Sequence, residues 1–303
     1  MEDSSPASGC TLTILILVYS DVAEGTRLYE QLQQEIEDQD YRILLIDNDC
    51  KDKKLLRDKV PERNILVADR NRGYAGGNNI GVNRCLKDDD KFLMILNPDI
   101  EISIQTIDAL VSKIAANPQI AFLGPRISYR NNREVIYSDG GLIVSEKGFK
   151  VTHLNHRKNR NAVKSGINDV DYMNGSALLG RVEAIRQFGP MRDEFFIYFE
   201  ETEWCLRAKD HGWKVQSDTT LDAFHLTSPK NSRYHFLMKR NRIWLAKIRK
   251  TDLGATVRKT LWECVKETLF LKKKSVAFWY GLLHGLKFDP EEHQISNRRF
   301  FKL

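Results

Sequence analysis

The sequence predicts an α/β fold: an open, mostly parallel sheet flanked by helices, followed by a C-terminal helical extension. Three observations carry this expectation. Strand-like apolar runs alternate with helical periodicity through the first part of the chain. Those runs end in polar or turn-forming residues, at Val18-Tyr19, Asp47-Asn48, Asp69-Arg70 and Asn97-Pro98-Asp99. Ligands in such sheets sit beyond these carboxyl ends. From about Asn231, helical spacing returns and persists.

Taken in order, Thr11 to Val18 is nearly continuous in apolar and β-branched residues, as expected of a strand buried on both faces. A helix from about Gly25 to Gln39 sets Leu28, Leu32 and Ile36 four apart. Tyr41 to Ile46 is the second strand and Ile65 to Ala68 the third. A helix from about Asn78 to Leu86 leads to the fourth strand, Phe92 to Leu96. Another helix runs from about Ile104 to Ala116, closed by Asn117-Pro118. Arg126 to Asp169 is polar and rich in Asn, Arg, Lys and Gly, which predicts hairpins and a mobile loop, with 146–166 the most flexible part. Val170 to Arg181 reads as a strand region. Glu201 to Gly212 reads as a helix ended by glycine, with Glu203 and Arg207 paired four apart and Trp204 and Ala208 on the buried face. Thr219 to Phe224 is a strand ending at His225. Helices then follow over Tyr234–Lys250, Leu253–Leu271 and Val276–Leu286.

Composition narrows the class. The chain has 303 residues, 42% of them hydrophobic and 29% charged, enough for a sizeable core. Its five cysteines form no C-x-x-C pair and no zinc spacing, as expected of reduced thiols in a cytoplasmic protein. The longest apolar run is too short to cross a bilayer. Met1 to Gly9 is acidic and polar, so a loose tail is expected there rather than a signal peptide. Charge is uneven: residues 230–303 hold 18 Lys and Arg against 6 Asp and Glu, a net of +12. The whole chain carries +6, which leaves −6 on residues 1–229. The basic end therefore suits an anionic partner. No base-reading motif accompanies it, so nucleic acid is not expected.

Two segments carry the chemistry. Asn71-Arg72-Gly73-Tyr74-Ala75-Gly76-Gly77-Asn78-Asn79 lies between two strands. Its glycines permit positive φ and close approach, and amides before a helix starting near Asn78 suit a pyrophosphate. The spacing is neither the dinucleotide fingerprint nor a Walker loop; alone, it is also what a tight turn looks like. Asp99, at the end of the next strand, offers a carboxylate where a divalent metal would bridge that anion. The second segment runs from Arg192 to Arg207, an aromatic run with carboxylates at a helix start. Glu200 and Glu201 stand there either as acids complementing the helix dipole or as a desolvated general base. His225, if apposed to Asp99, would make a metal ligand suited with oxygen donors to Mg²⁺ or Mn²⁺.

Together these segments resemble glycosyltransferase family 2, most closely its rhamnosyltransferase-like branch. The resemblance covers roughly Leu12 to Lys250. It rests on Ile46-Asp47-Asn48, Asn71 through Asn79, Leu96-Asn97-Pro98-Asp99, Asn174-Gly175-Ser176, Phe195 to Arg207, His225 and Arg240-Asn241, in that order. It implies a GT-A fold, Rossmann-like in its nucleotide-binding part. It further implies that Asp47 contacts the donor's base, that Val18, Tyr19 and Asn48 line the same pocket, and that Arg72, Gly73 and Asn78 hold the nucleotide. Asp99 matches the last acid of the D-x-D motif, with Asn97 in place of the first. Gly175 would lie beneath a sugar. Glu201 matches the catalytic base, with Glu200 as the alternative. The family often has Asp at that position.

The resemblance organises the chain as a tail (1–10), a GT-A domain (11–230) and a basic helical extension (231–303). The GT-A domain divides into a nucleotide-sugar half (11–125) and an acceptor half (126–230). The implied activity is inverting, metal-dependent sugar transfer, with dTDP-rhamnose as the first donor and UDP-sugars next. The implied acceptor is a glycan or a lipid-linked glycan in bacterial cell-surface polysaccharide synthesis. Arg233, Lys239, Arg240, Arg242, Lys247, Arg249, Lys250 and Lys272-Lys273-Lys274 would meet an anionic surface at the inner face of the membrane. A packed helical cap or an oligomer contact, such as a homodimer's, is the alternative use of those helices. A sugar nucleotidyltransferase would want a Gly-rich basic loop directly after the first strand, where Tyr19-Ser20-Asp21 stands instead. A non-catalytic subunit would lack the acids that this chain keeps.

Overall fold

The computed structural model describes residues 9–144, 148–226, 230–270 and 275–290. The tail before Gly9 and the run Lys272-Lys273-Lys274 lie outside the described residues.

Strand β1 (Leu12–Val18) and helix α1 (Val22–Glu35) open the chain. The helix begins three residues before Gly25 and ends just before Ile36. Gly25 is not its start. It sits in the first turn because a Cβ there would overlap Val18. Then come β2 (Tyr41–Asp47), the short helix α2 (Lys53–Lys59), β3 (Ile65–Val67), α3 (Gly73–Asp88) and β4 (Phe92–Leu96). Sequence periodicity missed α2, which has a single buried residue, Leu56, and is started by Asp52 accepting from Leu55 N.

The chain continues through β5 (Ile100–Glu101), α4 (Ile104–Ala116), β6 (Ile120–Tyr129), β7 (Asn132–Ser138), β8 (Gly141–Val144) and β9 (Lys150–His153). The polar middle is therefore largely strand. The stretch expected to be the most flexible carries β9, paired antiparallel with β8. Its charges misled because some are internal: Arg126, 1% exposed, makes a two-pronged bond to the buried Asp139 at 2.7 and 2.8 Å.

Next are β10 (Ile167–Asp169), β11 (Ala177–Arg181), α5 (Val182–Phe188), α6 (Glu200–Asp210) and β12 (Lys214–His225). As expected, Glu203 and Arg207 pair on α6, and Trp204 and Ala208 are buried. Helices α7 (Ser232–Ile248), α8 (Leu253–Leu269) and α9 (Ser275–Lys287) complete the C-terminal part, within two residues of their expected limits.

Among the described residues the main sheet has ten strands, in the order β10-β12-β6-β11-β4-β1-β2-β3, with β5 on β12 and β7 on β6. The run β4-β1-β2-β3 is parallel, and β12 is parallel to β6. β11 enters antiparallel between β4 and β6. One apolar cluster packs α1 and α4 against one sheet face, and another packs α3, α5 and α6 against the other. Both faces of β1 are thus covered, which is why its sequence is apolar throughout.

Two pairings build the site. His225 pairs with Ile100 across β12 and β5, which brings His225 beside Asp99. Ala177 pairs with Leu96 across β11 and β4, and Asn97 N donates to Ser176 O, which brings Gly175 and Ser176 beside Asn97.

Candidate active site

At the end of β4, His225 Nε2 lies 3.1 Å from Asp99 Oδ1 and 3.1 Å from Asn97 Nδ2. The His225 and Asp99 side chains remain partly exposed, at 14% and 19%. Asn97, Gly175, Glu200, Glu201 and His225 all line one cavity of about 230 Å³. Sequence reasoning missed part of its remaining wall: Tyr137, His153, Tyr172 and Tyr234 are isolated aromatics with no local pattern, whereas Tyr74 stands within the glycine-rich segment and Tyr198 within the aromatic run before α6. Gly175 is needed for close approach, since a Cβ there would lie 2.7 Å from Tyr74 Oη, which donates to Gly175 O at 2.5 Å.

Glu200 and Glu201 open α6 after an irregular loop. Phe196, Tyr198 and Phe199 take φ of +68°, +73° and +73°, the left-handed region that L side chains rarely adopt. The helix start offers amides that favour carboxylates, but burial outweighs them. Burial pushes the Glu201 carboxyl up to about 7, against the lowering effect of its backbone and Thr202 bonds. Glu200, 3% exposed, is pushed well above the ordinary range by burial and then by the neighbouring Glu201 charge. Its Oε2 accepts no hydrogen bond. Glu201 thus titrates near neutrality, and burial disfavours the charged form of Glu200 beside it. The third acid, Glu203, is tied to Arg207 and Arg192 and serves packing.

The glycine-rich segment corrects one expectation. The helix begins at Gly73, not near Asn78, and its first amides are already used. Tyr74 N and Ala75 N donate to Phe196 O at 2.6 and 3.1 Å, Gly73 N to Asn71 Oδ1, and Arg72 N to Asn48 Oδ1. These amides do not form an open anion cradle. Gly73, at φ +73°, admits Phe196, whose carbonyl a Cβ would overlap. Gly77 likewise admits the Leu17 side chain, 2.6 Å from where a Cβ would stand. Asn48 holds this turn, its Nδ2 donating to Gly73 O at 3.0 Å.

The other expected nucleotide residues divide. Tyr19, Asn48 and Gly73 line a second cavity of about 250 Å³, with Leu237 and Arg233 of α7. Val18, Asp47, Arg72 and Asn78 line neither cavity. Val18 is fully buried in the strand. Arg72 Nε bonds Asp69 at 2.7 Å. Asn78 is fully buried, its Nδ2 on Tyr74 O. Asp47, fully buried, accepts from Cys50 N through Oδ1, while Oδ2 accepts no hydrogen bond and Arg57 stands 3.9 Å away. An orphaned buried acceptor is costly unless a ligand supplies the donor. Tyr74, Ile197, Tyr198 and Tyr234 line both cavities.

The donors at Asp99 and His225 fit a divalent cation. Two ligands with metal bonds of about 2.1 Å at adjacent octahedral corners lie about 3 Å apart, close to the separation seen here. One carboxylate, one imidazole and an amide side chain give mixed oxygen and nitrogen donors, a set that Mn²⁺ accepts readily. Among the described residues no group of three or more His, Cys, Asp and Glu converges, so the remaining ligands would be oxygens of substrate or water.

The basic face expected on α7 is largely internal. Lys239 and Arg242 pair with Glu263, Arg249 pairs with Asp210, and Lys247 donates to Leu286 O and Phe288 O. Arg240 is 3% exposed. Apolar side chains on the neighbouring elements are exposed instead, among them Trp262 (66%), Leu269 (74%) and Phe270 (65%). No helix among the described residues is long and apolar enough to cross a membrane.

Comparison with known proteins shows the family and the fold. The family model "Glycosyl transferase family 2" matches residues 13–188. The chain is 25% identical over 298 residues, 91% of each protein, to the low-salt glycan biosynthesis hexosyltransferase Agl10 of Haloferax volcanii. It is 24% identical over 176 residues to the N-acetylglucosaminyl-diphospho-decaprenol L-rhamnosyltransferase of Mycobacterium tuberculosis, covering 51% of this chain and 57% of that one. Among solved structures, the mannosyltransferase PcManGT of Pyrobaculum calidifontis, in complex with GDP-Man and Mn²⁺, superposes with a TM-score of 0.57 at 10% identity, over 94% of this chain and 90% of that one. GalNAc-T7 with UDP, GalNAc and Mn²⁺ gives 0.59 at 16% identity over 76% of this chain, which spans about half (48%) of its length. The fold is GT-A.

Proposed function

The chain belongs to glycosyl transferase family 2, and from that membership we infer that it is an inverting transferase. It moves a sugar from a nucleoside-diphosphate donor to a hydroxyl of a glycan or lipid-linked acceptor. The observation that carries this reading is that Glu201, His225 and Asn97 line one cavity. Glu201, titrating at about 7, takes the proton of the attacking hydroxyl at near-neutral pH. Attack from the face opposite the departing diphosphate inverts the anomeric carbon in one displacement. Burial disfavours the charged form of Glu200, which opposes a second negative charge beside Glu201. Asp99 and His225, with Asn97 at their side, would hold Mn²⁺ or Mg²⁺, whose charge offsets that developing on the leaving diphosphate.

The second cavity suits the nucleoside. Tyr19 and Asn48 line it, whereas Asp47, fully buried behind Asn48, lines neither cavity and supports that wall through Cys50 N. Similarity to the mycobacterial rhamnosyltransferase makes dTDP-rhamnose the first donor to test. Similarity to the Haloferax hexosyltransferase over most of both chains supports a UDP-hexose as the second. The names of these relatives, one in glycan biosynthesis and one acting on a diphospho-decaprenol-linked sugar, support a glycan or lipid-linked acceptor. Attachment to a membrane surface rests on the exposed apolar residues of α8 and α9 rather than on the α7 cations. The test is the melting temperature with dTDP, UDP and GDP, each with Mn²⁺ and with EDTA. A metal-dependent rise for one nucleotide supports the reading. A protein that transfers sugar equally well in EDTA contradicts its metal part.

A further inference from the structure

Helix α7 presents one face to both cavities. Arg233 and Leu237, one turn apart, line the nucleoside side, and Tyr234 and Met238 line the other. One turn further on, Asn241 is fully buried. Its Nδ2, which has two hydrogens to donate, stands within hydrogen-bond distance of three carbonyls of the loop before α6: Phe195 O at 3.0 Å, Ile197 O at 2.9 Å and Tyr198 O at 2.6 Å. Arg240 adds Nη2 to Phe195 O at 2.7 Å and holds Asn241 Oδ1 through Nε at 2.8 Å, its guanidinium 4.2 Å from the Trp244 ring centre.

That loop needs holding. Three of its four residues 196–199 are non-glycine with positive φ. Such a run is unfavourable in isolation and persists only where its surroundings over-determine it. On its other side Phe196 O receives the first amides of α3. The loop is thus clamped between α3 and α7 and runs directly into Glu200 and Glu201. Helix α9 backs α7 at backbone distance: a Cβ at Gly281 would overlap Phe236 O, and one at Gly285 would lie 3.1 Å from Arg240 O.

We propose that Asn241, braced by Arg240, is a positioning residue for Glu201. Through the 195–199 loop, α7 sets where the carboxylate meets the cavity. The C-terminal helices are therefore part of the catalytic centre and not an appended anchor. The kinetic arm of the test rests on the transferase reading; the titration arm does not.

The experiment compares the wild type with Asn241→Ala and Arg240→Lys in the full-length chain. It measures kcat and donor KM across pH with dTDP-rhamnose and UDP-hexoses, and it titrates the glutamate carboxyls by ¹³C NMR, with Glu201→Gln used for assignment. Asn241→Ala should lower kcat about 10²-fold, the cost of a displacement of about 1 Å at a reacting group. Donor KM should change little, and the Glu201 midpoint should fall from about 7 toward the ordinary glutamate value as water reaches the loosened loop. Arg240→Lys should show both effects in smaller measure, and it supplies the answer if Asn241→Ala does not fold. Unchanged kcat and an unchanged Glu201 midpoint in the folded variants would overturn the proposal. A wild type that transfers no sugar from any donor speaks against the proposed reaction alone, because the titration still decides the positioning.

Discussion

His225 Nε2 stands 3.1 Å from Asp99 Oδ1 because the last residue of β12 pairs with the first residue of β5. This contact joins the two halves of the sheet at the point where Asn97 also converges. If the pair holds a divalent ion together with the donor diphosphate, Asp99→Asn and His225→Ala should each weaken Mn²⁺ binding measured with UDP or dTDP present. The loss should be at least the roughly 10- to 100-fold that follows removal of a mere outer-shell partner. Calorimetric Mn²⁺ titration checks this. Equal affinity in all three proteins would leave the pair as a simple hydrogen bond.

The second prediction concerns rate and pH. The working form of Glu201 is the carboxylate, so kcat/KM should rise with pH through an inflection near 7. Burial disfavours ionisation of Glu200, and Glu200→Gln removes that ionisation altogether. It should retain most of the activity, whereas Glu201→Gln should lose roughly 10²- to 10⁴-fold. A pH–rate profile for each variant tests the assignment. The reverse pattern would make Glu200 the base.

Stability should move the other way. Folding raises the Glu201 pKa from about 4.5 to about 7, so the folded state binds the proton more tightly. This contribution is fully present below about 4.5 and is lost as pH rises through 7. Glu201→Gln, which removes that ionisation, should melt higher than the wild type at pH 8, with the difference shrinking toward pH 4.5. Melting curves across that range would show no such convergence if burial did not set the shift.

A fourth prediction tests the clamp between α3 and the 195–199 loop. Gly73→Ala would force an L side chain into φ +73° and against Phe196. It should cost about 1–3 kcal/mol in denaturant unfolding. Gly166→Ala, where a Cβ meets nothing within 4 Å, is the control and should be nearly silent.

The fifth addresses the exposed apolar residues of the C-terminal helices. Trp262→Ser with Leu269→Ser should abolish co-sedimentation with anionic vesicles and leave transfer to a water-soluble acceptor intact. Retained vesicle binding would take the attachment away from these residues, and a wild type that binds no vesicles would remove the membrane reading. A concentration-dependent change in sedimentation that the same substitutions abolish would assign the surface to a homodimer.

The legible parts of this sequence were those whose signal is local. β1, β2 and β4 announce themselves by continuous apolar runs, and α4 and α6 to α9 by spacing. The polar middle was legible as hairpins, which are β6 with β7 and β8 with β9, but not in how distant partners hold them. β6 lies between β11 and β12, and the pair Arg126 and Asp139 reads as loop chemistry until it is seen buried. The helix α3 was placed too late because glycines were read as loop, whereas they mark close packing against Phe196 and Leu17. Basic residues on α7 were read as a surface because charge in a sequence carries no sign of its partners, and Glu263 and Asp210 supply those partners from other helices. Of the site, Asp99, His225, Asn97, Gly175, Glu200 and Glu201 were visible as motifs. Tyr137, Tyr172 and Tyr234, which wall the cavity, were not.

The most direct measurement is single-turnover transfer from radiolabelled dTDP-rhamnose and UDP-hexoses with Mn²⁺, by wild type and Glu201→Gln, alongside donor binding by calorimetry. The account predicts equal donor Kd in the two proteins, transfer by the wild type with one donor, and transfer reduced at least about 10²-fold in Glu201→Gln. Wild-type turnover by Glu201→Gln would contradict it.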